Sequence, residues 1–283
     1  MKTEIKTFGL TVFLGALAGA SASNAAGLQY QHRADKSQFN VGASAHLEVQ
    51  GPYQRLRGDR GAFMVDTVTG ATLATLNAPP SPELLPEPLT QDPDEHSGIA
   101  RDYLIGAGVP AGEVSGTHVT TTMKGGGSTR SGALSSPSKL LWYTTHLERS
   151  IEGIPVEGSF AFAAFDSNGE MITEGVYWPA IPDSVVDEAV QLNQKLGSPS
   201  EKAAFMRGVE AARADAKDAP GEVKIVHTSA GHHGQFEAKA VYSTVVKSRF
   251  GGKASLLRFD PEAKPVTMAD EKATGTDSPR KEK

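Results

Sequence analysis

Three histidines near the C-terminal end, His227, His232 and His233, lie close to Glu237 and are the most reactive-looking group in the chain. Imidazole nitrogens and a carboxylate oxygen of this kind are ligands for zinc or copper. Gly231 and Gly234 bracket the adjacent pair, however. A glycine-flanked tip loses entropy when ordered around an ion and supplies no groups to orient its ligands. A solvated turn is therefore expected, with no metal and no other cofactor. Asp166-Ser167-Asn168-Gly169-Glu170 opens like a calcium loop but lacks the later ligands and the terminal Glu of a full loop. A hairpin turn is expected there, since Asn and Gly tolerate positive φ. Ser44 and His46 share a strand face by alternation alone, and no Gly-x-Ser-x-Gly elbow occurs. The glycine run starting at Gly125 lacks the Lys and the strand–helix frame of a phosphate loop. No catalytic residue is predicted, and the chain is expected not to be an enzyme.

The elements that would hold these residues can be read from periodicity. Residues 61–66 and 71–76 read as two strands about a turn bracketed by Asp66 and Gly70. Pro79, Pro80, Pro82, Pro86 and Pro88 make residues 77–92 a connector. A helix is predicted from Asp92 as cap, with Pro93 in first position and Glu95 completing a capping box. Ile99, Ala100, Tyr103 and Leu104 form its apolar face, and Gly106 is the stop. Residues 124–138 are a Gly/Ser loop, and strands resume at Leu140. Two more helices follow. One covers 184–196 with Val185, Ala189, Leu192 and Leu196 on a stripe. The other starts at Ser198-Pro199 and carries Phe205, Val209, Ala212 and Ala216. Residues 235–247 then alternate, with Phe236, Ala238, Ala240, Tyr242, Thr244 and Val246 on a dry face and Gln235, Glu237, Lys239, Ser243 and Lys247 on a wet one.

Helix followed by strands occurs twice, which predicts an α+β protein of two similar small lobes. The expected divisions are a leader (1–26), a β-rich segment (27–78), a Pro-rich linker (79–91), one lobe (92–181), a second lobe (182–266) and a disordered tail (267–283). The leader has Lys2 and Lys6 before an apolar run from Phe8 to Leu17, then small residues up to Ala22. That is the pattern of an export signal, too short to span a bilayer. A periplasmic or extracellular location is expected, with no membrane-spanning segment. With 0 Cys, no disulfide supports the fold. The net charge of −5 argues against a nucleic-acid surface.

Residues 140–181 carry the most specific pattern: Tyr143, then Gly153, Ile154, Pro155, Val156 and Gly158, then Asp166 and Gly169, then Trp178 and Pro179. This resembles the fungalysin/thermolysin propeptide domain. The element order of 184–266 is similar to its companion PepSY-type domain. The resemblance implies two cystatin-like lobes, each a helix packed on an antiparallel sheet. The zinc-binding His-Glu-x-x-His of the accompanying protease is absent, so the chain is expected not to be that enzyme. By resemblance, an exported, non-catalytic protein of this kind inhibits a secreted metalloprotease or assists its folding through protein contact. The alternative is a periplasmic or surface binding module for a small ligand or peptide. Trp142, Tyr143, Phe160, Phe162, Phe165, Tyr177 and Trp178 concentrate here. Lobe core is the favoured role for them, with Tyr177 and Trp178 as the candidate partner surface.

Overall fold

Alternation in the N-terminal quarter builds a four-stranded antiparallel meander: β1 (His46–Gln50), β2 (Tyr53–Arg57), β3 (Gly61–Asp66) and β4 (Thr72–Leu76). The structure, a computed structural model, describes residues 37–77, 87–124, 138–216, 219–246 and 254–270. The expected leader, most of the Gly/Ser loop, much of the Pro-rich connector and the end of the tail lie outside the described residues. The β3–β4 turn closes as its sequence predicts. Asp66 Oδ1 accepts from the backbone N–H of Val68 and Thr69, and Gly70 sits at φ +73°.

Helix α1 (Pro93–Gly106) starts on Asp92, whose carboxylate accepts the Asp94 N–H at 2.9 Å. Its capping box is rearranged. Glu95 accepts the Thr90 hydroxyl, and Thr90 Oγ1 takes the Asp92 N–H. The buried face is also turned from the expected one, toward His96, Ser97, Ala100 and Leu104, leaving Ile99 exposed. Strands β5 (Val114–Lys124), β6 (Lys139–Ile151), β7 (Ile154–Glu157), β8 (Phe160–Phe165) and β9 (Met171–Tyr177) follow. Then come α2 (Asp183–Gly197), α3 (Pro199–Ala212), β10 (Gly221–His227), β11 (Ala238–Val246) and β12 (Ser255–Phe259).

The expectation of two cystatin-like lobes is overturned. The twelve strands form one mixed sheet in the order β1-β2-β3-β4-β9-β8-β6-β7-β10-β11-β12, with β5 also paired to β6, against only three α-helices among the described residues. Two long-range pairings fuse what the element order suggested were separate units. Strand β4 pairs with β9, which attaches the N-terminal meander. Strand β7 pairs antiparallel with β6 and parallel with β10. Helix-then-strand order along a chain does not specify which strands meet, and here they meet across the expected boundary.

On one side Ala100 and Leu104 of α1 pack against Leu147, Ala161, Ala163 and Val176. Elsewhere Leu192 of α2 and Phe205 and Val209 of α3 pack against Val156, Ile225 and Tyr242. The wet face expected on β11 is only partly wet. Ser243 is buried, and Val241 is covered together with Val226 by Met268. Residues 267–270 thus belong to the packed structure rather than to the expected tail. No helix among the described residues is long and apolar enough to cross a membrane.

Candidate functional site

The turn between β6 and β7 uses Glu152 and Gly153 at positive φ (50° and 75°), the two-residue geometry that matches strand twist. This brings β7 and the following Gly158 against β10. At Gly158 (φ +99°) a Cβ would stand 3.0 Å from the His227 carbonyl oxygen, so only glycine allows the approach. A buried polar chain is assembled at this joint. Arg149 NH1 donates to Ser159 Oγ (2.8 Å) and to the Pro179 carbonyl (2.9 Å). Ser159 donates to His227 Nε2 (2.8 Å), because His227 Nδ1 must carry the proton it gives to the Thr228 carbonyl (2.8 Å). Glu113 accepts from Arg149 Nε and from Trp178 Nε1 (2.8 and 2.9 Å), and the Tyr177 hydroxyl donates to the Thr228 carbonyl (3.0 Å).

A serine hydrogen-bonded to a histidine is the opening pair of a nucleophilic site. Here the third position is a backbone carbonyl, and Arg149 occupies the serine oxygen. Burial pushes the His227 pKa down to about 4, Thr228 offsetting part of this and Arg149 adding to it. The arrangement holds a neutral imidazole in place and works as a structural lock. Tyr177 and Trp178 are each 2 % exposed and serve that lock. The partner surface expected of them is corrected accordingly: their rings are spent on the interior.

The histidines do not converge. His227 is buried in the joint, His232 lies on the loop after β10, and His233 Nε2 bonds Asp66 Oδ2 at 3.0 Å. Among the described residues no group of three or more His, Asp or Glu side chains is placed to hold a metal ion. The turn at Asp166 likewise spends its carboxylate on the N–H groups of Asn168 and Glu170.

A different face carries the most site-like geometry. Strand pairing aligns Met64, Leu73, Gly175, Phe162, His146 and His118 in one row across β3, β4, β9, β8, β6 and β5. Directly paired residues share a face, and this face is the one opposite α1. At Gly175 a Cβ would lie 2.6 Å from the Phe162 ring, so the missing side chain lets that ring lie across β9. Beside this row, Tyr53, Met64, Leu73, Phe160 and Phe162 line a cavity of about 280 Å³. Asp66 also lines it, as do Ala230 and Gly231 of the loop that His233 ties to Asp66. Leu73 is 39 % exposed. Burial would raise the Asp66 pKa, but hydrogen bonds from Thr69, Val68 and His233 outweigh it and hold the carboxyl below its ordinary value. Next along the row, the His118 and His146 rings stack at 4.6 Å, and burial followed by the neighbouring His118 lowers the His146 pKa.

Known proteins give no further guide. Family models, curated proteins and solved structures contain no match to this chain. The propeptide resemblance therefore rests on its motif residues alone. Sequence reasoning missed the cavity, although a signal was present. In FAFAAF, Ala161, Ala163 and Phe165 face α1, which leaves two large aromatics, Phe160 and Phe162, for the opposite face.

Proposed function

We propose that this chain is an exported binding protein that holds a small apolar ligand, or an apolar side chain of a peptide, on the bare face of its sheet. One observation carries the reading: the cavity of about 280 Å³ walled by Tyr53, Met64, Leu73, Phe160 and Phe162. It falls just below the ~300–1,000 Å³ typical of drug-sized ligand sites and has their composition, apolar and aromatic walls with few polar groups. A half-exposed apolar wall of this kind marks a surface suited to a ligand.

The test is calorimetric titration with 2-phenylethanol, a neutral apolar probe of one ring. Saturable binding is expected in the wild type, and loss of binding in Leu73→Asp, whose side chain is solvated enough to change without unfolding the chain. Signal that does not saturate, or that Leu73→Asp leaves intact, rejects the reading. A second reading, contact with a secreted metalloprotease, draws on the motif in residues 140–181. It is favoured instead if the chain inhibits a thermolysin-like enzyme at micromolar concentration while failing to bind the probe.

A further inference from the structure

We infer that the ligands of this cavity are small organic cations, with an apolar body against Tyr53, Phe160 and Phe162 and an ammonium group at Asp66. This deepens the binding reading above and rests on it. Four features of the cavity point the same way.

Charge comes first. The lining contains one carboxylate and neither Lys nor Arg, so a cation gains attraction there while an anion meets a negative charge with no counter-charge on the wall. Asp66 is also divided in its duties. Oδ1 is committed to the turn, accepting from Val68 and Thr69 at 3.0 and 3.3 Å. Oδ2 is held by His233, a side chain one-third exposed on the loop after β10. A ligand ammonium, charged at neutral pH, offers the same kind of donor and can take the place of that imidazole, leaving the Oδ1 bonds of the turn in place.

The walls fit the same ligand. The Phe160 and Phe162 rings stand 6.0 Å apart, tilted at 33°, and Tyr53 adds a third aromatic ring to the lining. Aromatic faces carry negative potential and attract ammonium and alkylammonium groups. Finally, the volume limits the ligand to about one ring or a short branched chain. Gly231, at φ +85°, turns the loop beside the Tyr53 hydroxyl, and the His233 ring of the same loop lies 5.4 Å from the Tyr53 ring.

The experiment is isothermal titration of the full chain with three probes sharing one apolar body: 2-phenylethylamine, 2-phenylethanol and 3-phenylpropanoate. The amine is expected to bind at least tenfold more tightly than the alcohol, and the carboxylate more weakly than either. Asp66→Asn, which keeps an amide oxygen for the turn, should bring the amine down to the affinity of the alcohol. His233→Ala should raise amine affinity severalfold by removing the competing donor. Equal binding of amine and alcohol by the wild type overturns this inference and leaves the apolar site standing. No binding by any probe removes the binding reading and this inference together. The wild-type comparison decides even if Asp66→Asn fails to fold.

Discussion

Acidification should remove about 3 kcal/mol of stability through a single side chain, His227. The ring is 5 % exposed, and both nitrogens are satisfied in the neutral form, Nδ1–H by the Thr228 carbonyl and Nε2 by the Ser159 hydroxyl. A second proton would put a charge in a buried site beside Arg149. Burial accordingly takes the pKa from an ordinary 6.5 to about 4 in the folded chain. The unfolded chain therefore binds the proton first. The contribution of His227 is complete above pH 6.5, is lost as pH falls toward 4, and changes no further below that. At ~1.36 kcal/mol per pH unit, the interval amounts to about 3 kcal/mol. Urea unfolding followed by Trp142 and Trp178 fluorescence would measure it, comparing wild type with His227→Gln at several pH values. Glutamine keeps one donor and one acceptor but does not titrate. Wild type should lose stability relative to the variant by ~1.36 kcal/mol per unit across the window. Parallel curves would refute the assignment of His227 as a buried neutral imidazole.

Two further predictions concern the interior. Ile154, 3 % exposed on the strand that joins both parts of the sheet, should cost about 2–5 kcal/mol when replaced by alanine, read from urea midpoints. A loss of less than ~1 kcal/mol would show that β7 is not a cooperative part of the fold. Glu174, fully buried, has its pKa raised by burial, with hydrogen bonds from Ser37 and Tyr103 offsetting only part of the effect. Its favourable contribution is present below the ordinary 4.5 and is lost as pH rises through the higher folded value. Glu174→Gln should therefore gain on wild type over that interval, and identical pH profiles would contradict it.

Local structure was largely legible in the sequence, because its determinants are local. Asp92 capping α1, Gly70 closing the β3–β4 turn and Leu192 facing inward from α2 all follow from residue type and spacing. The sheet was not legible. Its architecture depends on Thr72 meeting Val176 and Ile225 meeting Val156, contacts between segments about 70 to 100 residues apart whose alternation is compatible with many partners. The cavity was hidden for the same reason. Tyr53 and Met64 are unremarkable on their own strands and become a wall only once β4 pairs with β9 and brings them beside Phe160 and Phe162. Tyr177 and Trp178 carried two readings, the favoured core and a partner surface, because an aromatic that anchors a partner and one that anchors a core have the same sequence signal. Only burial separates them.

The motif that carries the propeptide resemblance is consumed internally. Gly153 makes the turn, Ile154 and Val156 are core, Gly158 admits His227, and the Pro179 carbonyl is held by Arg149. Much of the phrase is thus used where β6, β7 and β10 join, while Asp166 and Gly169 close the β8–β9 turn. The cavity draws one wall from that unit, Phe160 and Phe162, and the other from Tyr53, Met64 and Leu73 of the N-terminal meander, which lies outside the resemblance. A chain keeping only residues 92–181 would retain every residue of the motif and lose half of the cavity. The proposed activity of this protein therefore depends on what β1 to β4 add to the sheet, and Leu73→Asp probes that added half directly.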